Sequence, residues 1–184
     1  MKRFRRILSW GAPAGLLIWI ALSGAAAWKL TRRSDARREE PVSRVAVAGV
    51  EAHRLRSEDG LEIGAWLIRP TEKRPVVLLL HGNGASRSSF SSLISFLAKE
   101  GCGALAISLR AHGDSMGDVN DFGVGAAQDV VAAVAFLERE LPGRKIIIVG
   151  ESLGSSAALF AAKAASTRVQ GYLFAAPFDA LDQA

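Results

Sequence analysis

The sequence predicts an α/β fold: a mostly parallel sheet with helices on both faces, opened by a hairpin and preceded by an N-terminal transmembrane helix. Three observations predict it. Short continuous apolar runs alternate with amphipathic segments from about residue 45 onward. An Asp59-Gly60 pair separates the first two extended runs. An uncharged apolar run, Ile7–Trp28, stands before all of this.

Taken in order, Ile7–Trp28 has 22 residues, which as a helix would extend roughly 33 Å against a bilayer core of about 30 Å. Trp10 and Trp28 lie near its ends, where indoles favour the headgroup level. Lys2, Arg3, Arg5 and Arg6 precede it and Lys29, Arg32, Arg33, Arg37 and Arg38 follow it, so the charge bias does not orient it. Two readings stand: a retained signal anchor, or a signal peptide cleaved at the small residues Ala25, Ala26 and Ala27. Either places the remainder outside the cytoplasm, unless an anchor inserts in reverse. Residues 1–30 are therefore the anchor or signal segment. The charged stretch 31–44, with Pro41, reads as a juxtamembrane linker, and 45–184 as one globular domain.

Within that domain, Val50–Arg56 and Leu61–Arg69 flank the Asp-Gly turn and form the hairpin. Val76–Leu80, Ala104–Leu109 and Ile146–Val149 are continuous apolar runs, as expected of parallel strands covered on both faces. Val169–Ala175 reads as a further strand. Ser89–Glu100 puts Phe90, Leu93, Ile94 and Leu97 on one helical face; Ala127–Leu141 does so with Val130, Val131, Val134 and Leu137, and Pro142-Gly143 stops it.

Charge excludes one class of function. The net charge of +5 divides into +6 over residues 1–40 and −1 over 41–184, so the globular part has no electrostatic claim on nucleic acid. The lone Cys102 allows no intrachain disulfide, and dispersed histidines give no metal-ligand spacing. No phosphate loop occurs, and neither metal nor cofactor is expected.

The chemistry sits at strand ends. Ile146–Val149 runs into Gly150-Glu151-Ser152-Leu153-Gly154, a G-x-S-x-G between a strand and a small-residue helix. A serine there projects from the carboxyl edge of the sheet, and Gly150 and Gly154 keep the sharp turn free of side chains. The first turn of the helix aims backbone N–H groups at the place where an oxyanion forms. Val76–Leu80 ends in His81-Gly82-Asn83-Gly84, beside the elbow strand by expectation. The main chains of Asn83 and Leu153 are the expected oxyanion donors, and Ser152 the nucleophile. His81 reads as a loop-packing residue. In Arg110-Ala111-His112-Gly113-Asp114-Ser115 the glycine serves a turn, and Arg110 and Asp114 tie the loop by charged hydrogen bonds. Asp129 and Gly123 read as features of the start of the following helix.

These three motifs, each closing its own strand, resemble the α/β-hydrolase superfamily, and within it the membrane-associated Bem46-like and S33-type serine aminopeptidase and acylglycerol-lipase group. The resemblance covers roughly residues 45–180. It implies a sheet of eight strands with the second antiparallel, a Ser-His-Asp triad, and hydrolysis of a small-molecule ester or related acyl substrate through an acyl-enzyme. The chain departs from it in one respect. His53, His81 and His112 all precede Ser152, whereas the superfamily places its acid and histidine after the nucleophile. Asp179 and Asp182 follow the last strand, but the resembling branch places its acid after the next one, so both acid and histidine are expected to be missing from this chain. The expectation is a fold incomplete at its C-terminus, the N-terminal two-thirds of a hydrolase and inactive alone. The alternatives are a non-catalytic binding protein on the same fold, or an acyltransferase or thioesterase.

Overall fold

The computed structural model describes residues 2–33, 36–71, 73–165 and 169–176, with backbone only for residues 2–12. The chain forms two compact units, Met1–Arg32 and Arg33–Ala184. The first is a single helix, α1 (Lys2–Thr31), which runs on through Pro13. Its segment Pro13–Thr31 has a mean hydropathy of 1.4 and is long and apolar enough to cross a membrane, a property shared by signal sequences. Leu17, Trp19 and Leu22 are exposed along it.

The second unit is a six-stranded sheet with helices on both faces. Its elements are β1 (Glu51–Arg56), β2 (Glu62–Ile68), β3 (Val76–Leu80), α2 (Ser91–Lys99), β4 (Gly103–Ile107), α3 (Ala126–Glu140), β5 (Ile146–Glu151), α4 (Leu153–Ala165) and β6 (Val169–Ala175). Spatial order is β1-β2-β4-β3-β5-β6. β2 runs antiparallel to both its neighbours, and the four strands from β4 to β6 are parallel. The expected hairpin, the placing of β3 beside the elbow strand, and helices on both faces are all present. At Gly60, φ is +86°, which closes the β1–β2 turn. Most boundaries move by a residue or two. α2 is entered through a 3-10 turn at Arg87–Phe90, and the run Ala104–Leu109 stops pairing at Ile107.

Alternation along the strands divides the core. Val76, Leu78 and Leu80 of β3 join Leu105, Ile107 and Ile148 under α3 and α4, where Val130, Ala133, Leu137, Ala157 and Ala161 meet them. Val77 and Leu79 turn the other way and pack with Trp66, Ala104 and Ala106 under Ile94 of α2. All five residues of β3 are buried, which is why this strand reads as an unbroken apolar run.

Residues 36–45 are bound into this unit. Glu40 is 5% exposed. Its carboxylate accepts from Ser108 Oγ at 2.6 Å, from Arg87 Nη1 at 2.9 Å, and from Ser86 Oγ. Its carbonyl accepts from Trp66 Nε1 at 3.1 Å and from Arg87 Nη2 at 3.2 Å.

Candidate active site

β5 and α4 are separated by one residue, Ser152, held at φ +46°. A non-glycine residue in this region is strained by roughly 1–3 kcal/mol, and surrounding structure must hold it there. The Ser152 N–H donates to Ala175 O at 2.8 Å, and Ser155 Oγ donates to Gly150 O at 2.7 Å and Ala175 O at 3.1 Å. The end of β6 thus fastens both sides of the turn. A Cβ on Gly150 would lie 2.7 Å from Ser155 N, and one on Gly154 would strike the Leu80 carbonyl. Both glycines are therefore required by close backbone approach. Ser152 is partly exposed, and its hydroxyl makes no hydrogen bond among the described residues.

The loop after β3 lies against this turn. A Cβ built on Gly82 would sit 3.6 Å from Ser152 Cβ and 3.6 Å from Glu151 O. Asn83 is the next residue, and Gly84 follows at φ +74°. Among the described turn and loop hydrogen bonds, neither the Asn83 nor the Leu153 N–H has a backbone acceptor. Leu153 follows the serine directly, and Asn83 follows the glycine that packs against it.

None of the three histidines hydrogen-bonds Ser152. His81 is fully buried. Its Nδ1 donates to Gly82 O at 2.8 Å and its Nε2 accepts from Leu109 N at 3.0 Å, so it is a neutral strut between two loops. Burial pushes its pKa down to about 3. The His112 nitrogens face Arg110 O at 2.8 Å and Asn83 Oδ1 at 3.1 Å. His53 lies on β1 with Nε2 3.1 Å from Glu51 Oε2 and its ring against Phe136. Asp179 and Asp182 lie outside the described residues.

The charged residues of the 110–118 loop are indeed tied, but to distant partners. Arg110 donates from Nη2 and Nε to the fully buried Asp129 of α3, at 2.7 and 3.1 Å, and from Nη1 to Asp59 at 2.7 Å. Burial works against its charge, but these two carboxylates outweigh it and raise its pKa. Asp114 accepts from Arg87 and from Arg54 Nη2 at 2.7 Å. Asp129 thus anchors the loop as well as opening a helix. Sequence reasoning passed over Asn120, whose Nδ2 donates to Asn83 Oδ1 at 2.8 Å while its Oδ1 accepts from Phe122 N at 3.1 Å. Its one visible sign was Asn120-Asp121-Phe122-Gly123, a turn composition. It also gave no role to Arg33, whose guanidinium donates to the carbonyls of Gly113, Ser115 and Gly117.

A sequence profile for the alpha/beta hydrolase fold matches residues 75–184. An uncharacterized Mycobacterium tuberculosis protein, Rv2307c, is 29% identical over 109 residues, covering 57% of this chain and 38% of that protein. Among solved structures, the Pyrococcus furiosus esterase Pf2001 superposes with a TM-score of 0.69 at 24% identity, over 81% of this chain and 58% of that one. An epoxide hydrolase variant of Vigna radiata superposes with a TM-score of 0.58 at 22% identity, over 70% of this chain and 39% of that one. The structural likenesses are of fold, and this chain spans less than two-thirds of each relative. With a profile that matches more than half of its length, on the strands that carry the serine elbow and the loop beside it, the chain belongs to the α/β-hydrolase fold family.

Proposed function

We propose that this protein is a serine hydrolase of carboxylic esters or related acyl bonds. The observation that carries the reading is Ser152 at positive φ between β5 and α4, with Gly82 packed against it. Ser152 Oγ attacks the acyl carbon and loses its proton to a base. The carbonyl oxygen becomes an oxyanion between the Asn83 and Leu153 N–H groups. Collapse expels the alcohol, which takes the proton, and leaves the acyl group on Ser152; water then releases the acid. In this reading none of the three histidines of residues 1–184 is that base, because each is committed elsewhere. Serine in place of aspartate at the elbow favours acyl transfer over the epoxide opening of the Vigna radiata neighbour. Residues 7–28 anchor the protein in a membrane, with the hydrolase domain on the extracytoplasmic side.

The test is labelling of the full-length protein with a fluorophosphonate probe. Labelling is expected, and Ser152→Ala should abolish it. Absence of labelling in the wild type, or its survival in the variant, would refute the reading and leave a non-catalytic binding role for the fold.

A further inference from the structure

We propose that His112 is a positioning residue for the oxyanion loop: when doubly protonated, its ring bridges the Arg110 carbonyl and the Asn83 side chain, and so holds the Asn83 N–H beside Ser152. The inference rests on the assignment of Asn83 above.

It follows from the direction of one chain of hydrogen bonds. The Phe122 main-chain nitrogen can only donate, and it meets Asn120 Oδ1 at 3.1 Å. Asn120 therefore turns its NH2 toward Asn83, whose Oδ1 accepts at 2.8 Å. The same Oδ1 faces His112 Nε2 at 3.1 Å, and His112 Nδ1 is 2.8 Å from Arg110 O, which can only accept. Both ring nitrogens thus meet acceptors. A neutral imidazole has one N–H and would turn a lone pair on one of them; an imidazolium satisfies both. Flipping the Asn83 amide would oppose two NH2 groups, and flipping Asn120 as well would forfeit the Phe122 bond. Gly82 and Gly84 have no side chains, so the Asn83 amide is the handle by which this loop tip is held.

Among the described residues, the charged groups of the surrounding loops are paired or exposed. The Arg33 guanidinium sits on the Gly113, Ser115 and Gly117 carbonyls and opposes protonation. His81, with ring centroid 5.0 Å away, is neutral. Arg110 is bound to Asp129 and Asp59. Glu40, beside Gly113, is paired with Arg87; Asp114 with Arg87 and Arg54; Asp118 with Arg33; and Glu151 is exposed next to Gly82. Burial first, then Arg33, hold the His112 pKa below 6.5. The bridge is complete below that depressed pKa. Above it the ring keeps Nδ1–H on Arg110 and presents a lone pair to Asn83, which is released.

The chain has three histidines, so ring nitrogens of the 15N-labelled 184-residue protein in detergent micelles can be followed by NMR, with His112→Gln giving the assignment. His112 is expected to lose its Nε2 proton below pH 6.5, with the Asn83 backbone and side-chain amides shifting at the same midpoint. Asn83→Asp places a carboxylate on Nε2 and should raise that midpoint by about one unit or more. Asn83 amides that ignore the His112 titration, or an unmoved midpoint in Asn83→Asp, overturn the proposal. In the full-length protein, His112→Gln puts a non-titrating amide near the Nε2 position and should remove one step from the pH profile of fluorophosphonate labelling. A step that persists counts against His112. NMR linkage without labelling would sink the hydrolase reading alone, and labelling without linkage would sink the bridge alone.

Discussion

At the scale of single residues, the elbow is governed by what is missing at Gly150 and Gly154. A methyl at Gly154 meets the Leu80 backbone, and one at Gly150 meets the start of α4; neither neighbour can retreat without disturbing β3 or the helix. Gly154→Ala and Gly150→Ala should each cost at least about 2 kcal/mol in denaturant unfolding. Gly171→Ala, on β6 with open space around its Cβ position, should be nearly neutral. Equal effects at all three would refute the close-approach argument. His81 gives a second prediction, with a definite sign. Its folded pKa of about 3 lies below the ordinary imidazole value of 6.5, so the unfolded chain binds the proton more readily. The stability held by neutral His81 is intact above pH 6.5 and is lost progressively as pH falls toward 3, by roughly 5 kcal/mol in all. Unfolding at pH 7 and pH 4.5 should show this slope. His81→Gln should be less stable at pH 7, by about 1–3 kcal/mol for the buried hydrogen bonds it disturbs, and flatter with pH. An undiminished slope in the variant would show that other groups carry it.

Between elements, the Arg110–Asp129 pair joins the loop after β4 to α3. Asp129 is fully buried and accepts the Arg110 main-chain N–H at 2.8 Å as well as its guanidinium. Asp129→Ala strands a buried cation and should cost about 3–5 kcal/mol. Asp59, the other partner of Arg110, is about one-third exposed, with a side-chain accessibility of 35%, and Asp59→Ala should cost no more than about 1 kcal/mol. Comparable losses in urea unfolding would contradict this ordering. The same pair shows what was legible beforehand. β3 was read to the residue, because an apolar run that is buried throughout carries its own boundaries; β6 was read to the residue too, although none of its residues is fully buried. The elbow was legible because its glycines, serine and preceding strand are consecutive. Arg110 was read as tying its own loop, and Asp129 as a helix-start residue, since hydrophobic periodicity contains nothing about a partner 19 positions away. Asn120 escaped for the same reason: its bond to Asn83 crosses 37 residues of sequence.

For the molecule as a whole, the decisive residues are those that follow the apolar helix. Composition alone makes 31–44 a charged linker, because glutamate is seldom fully buried unless it is paired. The partner that buries Glu40 is Arg87, in the connection between β3 and α2, and no local pattern announces it. Arg33 and Glu40 therefore belong, by their bonds, to the hydrolase unit. This sets where the chain can be cut. A protein of residues 33–184 keeps the Arg33 bonds to the 113–117 carbonyls and the Glu40 bonds to Ser108, Arg87 and Trp66. Residues 46–184 lose all of them, leaving the Trp66 indole N–H buried without its acceptor and Arg87 short of one carboxylate. Unmade buried hydrogen bonds cost roughly 1–3 kcal/mol each, more where a charge is involved, so the shorter protein should be at least about 3 kcal/mol less stable than the longer in denaturant unfolding. The full chain should partition into a detergent phase and the 33–184 protein should not, since the exposed leucines and tryptophans of α1 go with the removed segment. If the two truncations unfolded at the same denaturant concentration, residues 33–45 would be a tether and nothing more. A clear difference would make them part of the scaffold that holds the loop carrying His112 beside Asn83.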